Sequence, residues 1–159
     1  MFSASFLINA YARNLHFIRT HTAGFSQADA LRQPPFRGNC ALWIVGHIAL
    51  YRNTVLEQLQ QAPTFDPALA QRFKAGSAAV LGEEPGLAQL SNMLTALDAS
   101  QERIAAILPA FDATRAAELI RFGSLTDPLT RAETLLFLMR HEAYHTGQLE
   151  LLAEMTRNG

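Results

Sequence analysis

Four stretches of this chain repeat their apolar residues every three or four positions, and none alternates them convincingly every second position. A period near 3.6 belongs to a helix with one buried face, and a period of two to a half-buried strand. That property turns the reading away from sheets, barrels and sandwiches. The first stretch runs from about Ser3 to His21, with Ile8, Tyr11, Leu15 and Ile18 on its stripe. The second begins near Asn39, a residue type suited to capping a helix start. It passes through Ile44, His47, Tyr51 and Val55 and stops before Pro63. A third follows Pro85 and Gly86, marked by Leu87, Leu90, Leu94, Leu97, Ile104 and Leu108. The fourth starts near Thr130, with Glu133 three residues on as a capping box, and continues to the C-terminus.

The links are long. Residues 22–38, 61–84 and 112–129 each contain glycine and proline. A short helix is expected within 66–73, where Asp66 can cap and Pro67 can take the first turn. Links of this length favour crossover connections over simple up-down-up-down winding. With 159 residues, 49% of them hydrophobic, the chain has the size of one domain and enough apolar surface for a core. The expected fold is all-α: a four-helix bundle with long crossover connections, forming a single domain over residues 1–159.

Charge narrows the partners. The formal net charge is −1, Lys74 is the only lysine, and no basic run is present. A nucleic-acid binder shows a basic face, so nucleic acid is not an expected partner. Cys40 is the only cysteine, which excludes an intramolecular disulfide. The start, Met1-Phe2-Ser3-Ala4-Ser5-Phe6, lacks a basic segment followed by a long apolar run. No apolar stretch approaches a membrane span. The expectation is a cytoplasmic protein with no membrane partner.

The chemistry concentrates in His141-Glu142-Ala143-Tyr144-His145. Positions i and i+4 share a helix face, so His141 and His145 can grip one metal ion. Both lie on the apolar stripe with Leu138 and Leu152, and His47 lies on the stripe of the second helix between Ile44 and Tyr51. Three inward imidazoles are costly unless partnered, and one divalent ion satisfies all three. Zinc, nickel, iron and copper all accept such ligands. Three protein ligands leave a coordination position open, the arrangement of catalytic rather than structural sites. Cys40 lies two turns before His47, too far along the axis for shared ligation, and reads as core. His16 and His21 have no partner at ligand spacing.

The string also spells H-E-x-x-H, a zinc-protease signature. The extended pattern needs Gly and His where this chain has Gln148 and Leu151. Glu150 and Glu154 follow on the same helix and do not easily turn back to the ion. No Glu-x-x-His partner exists elsewhere for a di-iron bundle. Glu142 lies about 100° round the helix from His141. It reads as a solvated or helix-interface charge, with a partner to a ligand or a base acting on metal-bound water as the alternative. Tyr51 and Gln148 either face the same cavity or simply pack, and Trp43 is a further candidate for the pocket wall.

Two segments carry a family likeness. Asn39-Cys40-Ala41-Leu42-Trp43-Ile44-Val45-Gly46-His47 resembles a second-helix segment ending in a ligand histidine. His141 to His145, followed by Thr146-Gly147-Gln148-Leu149, resembles the H-x-x-x-H of a fourth helix. With this order and the long links, the chain resembles the DinB-like/YfiT-like superfamily of metal-dependent proteins over nearly its whole length. The resemblance implies a divalent ion, nickel or zinc, on His47, His141 and His145, and a homodimer. It also implies a small-molecule substrate: characterised relatives include thiol-dependent S-transferases and a mycothiol-dependent isomerase. The leading expectation is thus a metal-dependent enzyme that activates a low-molecular-weight thiol, or water, as nucleophile. The alternatives are a non-catalytic metal-binding or stress-response bundle with a structural ion, and a metal-free helical module. Relatives often carry Arg after the second histidine; Thr146 stands here, which bears on the pocket rim or on anion binding.

Overall fold

A computed structural model describes residues 3–123 and 126–158. The extreme ends of the expected 1–159 domain, and Met1 and Phe2 of the start, lie outside the described residues. The element order is α1 (Ala4–His21), α2 (Gln27–Leu31), α3 (Ala41–Gln58), α4 (Pro67–Ala70), α5 (Leu90–Ile107), α6 (Ala113–Ala117), β1 (Leu119–Ile120), β2 (Leu129–Thr130) and α7 (Arg131–Asn158). Short 3-10 turns, Gln71–Phe73 and Leu108–Ala110, extend α4 and α5. The protein is an all-α four-helix bundle of α1, α3, α5 and α7.

The packing order departs from the chain order. The bundle's lateral contacts are α1 with α5, α5 with α3, α3 with α7 and α7 with α1. Side-chain bonds give the directions. Tyr11 and Asn14 donate to the carbonyls of Leu135 and Met139, and Arg157 to that of Thr20, so α1 and α7 run parallel. Arg19 reaches Leu94 and Gln101 reaches Ile8, so α5 opposes α1. Arg52 meets Glu142, and Arg131 meets Gln58, so α3 opposes α7. The winding is up-down-down-up. Only the link from α3 to α5, residues 59–89, must retrace a whole helix, about 27 Å for 18 residues.

Local chemistry sets the helix ends. Ser3 caps α1 by accepting from the Phe6 amide. At α7, Thr130 Oγ1 accepts from the Glu133 amide at 3.1 Å, and Glu133 Oε2 from the Thr130 amide at 2.7 Å, the expected box. Asp66 caps α4, with Pro67 in its first turn. Asn39 does not cap α3: the cap position falls to Cys40, whose side chain makes no capping bond. Leu87 precedes α5, which starts at Leu90. Four small elements escape the periodicity. Ser26 and Asp29 form a capping box on the five-residue α2, Asp112 caps α6, and β1 pairs with β2 over two residues. Each is too short for a period to register.

Two apolar clusters fill the bundle. One gathers Leu15, Ile18, Trp43, Ile48, Leu97 and Leu149 among others. The second gathers Leu7, Tyr11, Leu56, Ile104, Leu108 and Leu138 among others. Between them, on each long helix in turn, lie polar residues: Asn14, Arg52, Ser100 and Glu142, all buried. From Ala41 to Ala49 every residue of α3 is buried, because α2, α4, α5 and α7 surround it. The described residues contain no helix long and apolar enough to cross a membrane.

Candidate metal centre

His47 projects from α3 toward α7, where His141 and His145 stand one turn apart. His141 Nε2 lies 3.4 Å from His47 Nε2 and 3.1 Å from His145 Nε2. One nitrogen from each ring falls in a set whose members all lie within 4.8 Å of one another. Zinc–nitrogen bonds of about 2.0–2.1 Å in tetrahedral array separate the nitrogens by about 3.3–3.4 Å. The donor set fits a divalent ion.

Each outer ring is held by a second bond. His47 Nδ1 lies 2.6 Å from the Phe73 carbonyl oxygen. A carbonyl only accepts, so the proton sits on Nδ1 and the Nε2 lone pair is free. His145 Nδ1 lies 2.8 Å from Gln148 Oε1, which fixes the same tautomer. Three imidazole edges thus converge with two lone pairs already turned inward. His141 Nδ1 is buried without a hydrogen-bond partner among the described residues.

Gly46 explains how Phe73 reaches His47. A Cβ on Gly46 would stand 2.5 Å from the Phe73 ring, closer than real carbon contacts. Only glycine lets the α4 segment lie this tightly on α3. Trp43 stacks on His47 at 4.6 Å and 17°, and its Nε1 donates to Ser77 Oγ at 3.0 Å. Tyr51 packs on His47 and His141, at 4.8 and 4.4 Å between ring centroids.

Electrostatics favour the ligand form. Burial pushes His47 from the ordinary 6.5 down to about 4, against the opposing pull of the Phe73 carbonyl. His141 also falls to about 4, mainly through burial, with His145 and His47 adding to it. Burial lowers His145 too, opposed by Gln148. Neutral imidazoles with free lone pairs are what a metal ion takes.

The centre opens into a pocket of about 520 Å³. Trp43, His47, His141, His145 and Gln148 line it, together with loop residues Phe36 and Arg37. Tyr51 is not on that wall; it backs two of the rings instead. His16 and His21 lie on α1 beside Phe17, away from the cluster. Cys40 is buried, with Sγ directed at the Val80 carbonyl.

Glu142 turns away from the histidines into the bundle. Its carboxylate takes two bonds from Arg52, Nε to Oε2 at 2.5 Å and Nη2 to Oε1 at 2.8 Å. Arg52 also donates to Gln101 Oε1 and to the Tyr11 carbonyl, and its guanidinium lies over the Tyr11 ring. Both side chains are almost wholly buried. The geometry matches the helix-interface reading of Glu142 and leaves no free oxygen directed at the pocket. Thr146 is likewise buried, bonded to the Glu142 carbonyl, so it does not reach the pocket rim.

Sequence reading missed Arg52, Phe73, Phe36 and Arg37. Arg52 left a signal: it is the only charged residue between Ala41 and Leu56, and a buried arginine demands a carboxylate. Phe73 left none, because it acts through its backbone.

A family profile described as the DinB superfamily matches residues 10–149. Among solved structures, the chain is similar to a conserved protein of Enterococcus faecalis, with a TM-score of 0.75 at 15% identity. The match covers 100% of this chain and 99% of that one. No curated protein gives a significant match.

Proposed function

The chain belongs to the DinB superfamily, and from that premise we propose that it is a metal-dependent enzyme whose divalent ion, nickel or zinc, is held by His47, His141 and His145. The observation that carries this reading is the convergence of three imidazole nitrogens, 3.1 and 3.4 Å apart, at the wall of an open pocket. A structural ion needs no such opening. The bundle does not need an ion to join α3 to α7 either, because Arg52 and Glu142 already do so.

When bound, such an ion makes a thiol or a water acidic and hence nucleophilic near neutral pH. The protein's own residues orient and shield. Phe73 and Gln148 hold His47 and His145 in the right tautomer. Trp43 and Tyr51 fix the rings by stacking and exclude water from one side. The leading reaction is transfer of a low-molecular-weight thiol to an electrophile, with metal-assisted hydrolysis second. Glu142 carries no acid–base role in this scheme, since Arg52 occupies its carboxylate.

On the same reading the protein is a single domain over 1–159, acts in the cytoplasm on a small molecule, and binds no nucleic acid. The near-neutral charge and absence of a basic run support the last point. A homodimer is supported by Phe6 and Phe17 on α1 and Leu136 and Tyr144 on the neighbouring α7, all apolar or aromatic and exposed.

Elemental analysis of untagged protein tests the core of this. About one nickel or zinc per chain is expected, and His141→Ala should lose it. Chelated protein should stay folded, while holo protein should consume thiol against some member of an electrophile panel. Untagged protein without metal would end the proposal.

A further inference from the structure

The charge inventory of the pocket is one-sided. Arg37 is its only arginine or lysine, and no aspartate or glutamate lines it. Arg37 has no ion pair or hydrogen bond among the described residues, whereas Arg19, Arg72 and Arg131 each hold a carboxylate. Thr146, the position at which the rim was expected to vary, contributes nothing to this wall. The pocket's own cation therefore comes from the loop between α2 and α3.

That loop is braced. Pro34 and Pro35 fix two backbone angles. Gln33 Nε2 donates to the carbonyls of Leu31 and Val80 at 2.7 and 2.8 Å, tying the loop to the α3–α5 crossover. A guanidinium on a tethered loop loses less freedom when it meets a ligand. Beside it, Phe36 is 50% exposed, and across the pocket Leu151 is 53% exposed. These are apolar surfaces facing a ligand space rather than a core.

We propose that the pocket takes a small anionic substrate, with its carboxylate or phosphate on Arg37 and its apolar body against Phe36, Trp43 and Leu151. An arginine fork matches both oxyanions in bidentate fashion. A pocket lacking carboxylates, with a cation at its rim, attracts anions and rejects cations. This names the substrate class for the enzyme proposed above and rests on that reading of the pocket.

The test uses benzoate and phenyl phosphate as probes, with benzyl alcohol as the uncharged match. Binding is read by calorimetry and by emission from Trp43, the only tryptophan, in metal-free and metal-loaded protein. Working on metal-free protein separates Arg37 from an anion sitting on the ion itself. Both or one of the anions should bind, benzyl alcohol about tenfold more weakly. Arg37→Gln should weaken the anions about tenfold and leave benzyl alcohol unchanged. Arg32→Gln, which removes a nearby charge outside the pocket, should change neither. Salt should weaken the wild type and not Arg37→Gln. The tighter of the two anions identifies the oxyanion. Failure of both anions to bind more tightly than benzyl alcohol, wild-type anion binding by Arg37→Gln, or no binding of any probe to metal-free protein would overturn the inference. Metal content decides the enzyme reading and Arg37-dependent anion binding decides this one, so the two fail separately.

Discussion

His141 and Glu142 are adjacent on α7, yet the protein treats them in opposite ways. Glu142 enters a dense network: its two oxygens meet two Arg52 nitrogens, and Arg52 also donates to Gln101 on α5 and to the Tyr11 carbonyl on α1. All four long helices contribute, and both Glu142 oxygens are engaged. His141 meets two other ring nitrogens and keeps a buried Nδ1 without a partner among the described residues. One cluster pairs its charges internally, and the other brings three ring nitrogens together with no acidic partner among the described residues. Buried polar groups hold a fold when their donors find acceptors, and convergent lone pairs without a donor are the arrangement that suits a metal ion. One step along a helix, about 100°, separates the two outcomes.

The largest test of this contrast is Arg52→Ala. It leaves Glu142 buried and unpaired, at a cost of about 3–5 kcal/mol in stability. Thermal or urea unfolding measures it. Arg52→Met with Glu142→Leu should recover much of the loss, because apolar groups need no partner. If Arg52→Ala instead lost metal and kept its stability, the roles assigned to the two clusters would be reversed.

Gly46→Ala comes next and couples the clusters' surroundings. The added methyl meets the Phe73 ring, and relief of that overlap costs about 1–3 kcal/mol. Moving Phe73 also moves the carbonyl that holds His47. Metal affinity should then fall about 10–100-fold. A competition titration with a chelator reads this separately from unfolding. Unchanged affinity would mean that the Phe73 carbonyl does not set the His47 tautomer.

The smallest effect is on pH dependence in metal-free protein. His47 and His141 titrate at about 4 when folded, against an ordinary 6.5. Between those values the unfolded chain binds more protons than the folded one. The histidines' contribution is therefore complete above about pH 6.5 and is lost as pH falls toward 4. The melting temperature of metal-free protein should drop across that window, and His141→Ala should flatten the drop. A variant with an identical profile would show that the cluster is not the source. In metal-loaded protein, ion release should follow the same acidification.

The bundle was legible because α1, α3, α5 and α7 each span enough turns for an apolar stripe to repeat. Their ends were legible where a side chain does the capping, as at Thr130 and Asp66, and not at Cys40, which caps nothing. The three histidines stood out for the same reason as the helices: they occupy stripe positions where burial is expected. Glu142 could be assigned only as far as its angle on the helix allowed. Its partner lies 90 residues away, and pairing across a bundle depends on the packing order. The up-down-down-up winding depends on link paths that local periodicity does not encode. Backbone groups such as the Phe73 carbonyl carry no residue identity at all.

The crossover from α3 to α5 has a consequence for how such a site can change. Residues 59–89 supply the carbonyl behind His47, the hydroxyl behind Trp43, and Gly76 on the pocket wall. None of these sits on a bundle helix. The crossover thus shapes the site from outside the four helices while Phe65, Phe73 and Val80 anchor it in their core. Its freedom lies in the largely exposed 74–79 stretch, where Ala75 and Gly76 meet the pocket, so changes there should reshape that wall and leave the arginine–glutamate rivet untouched.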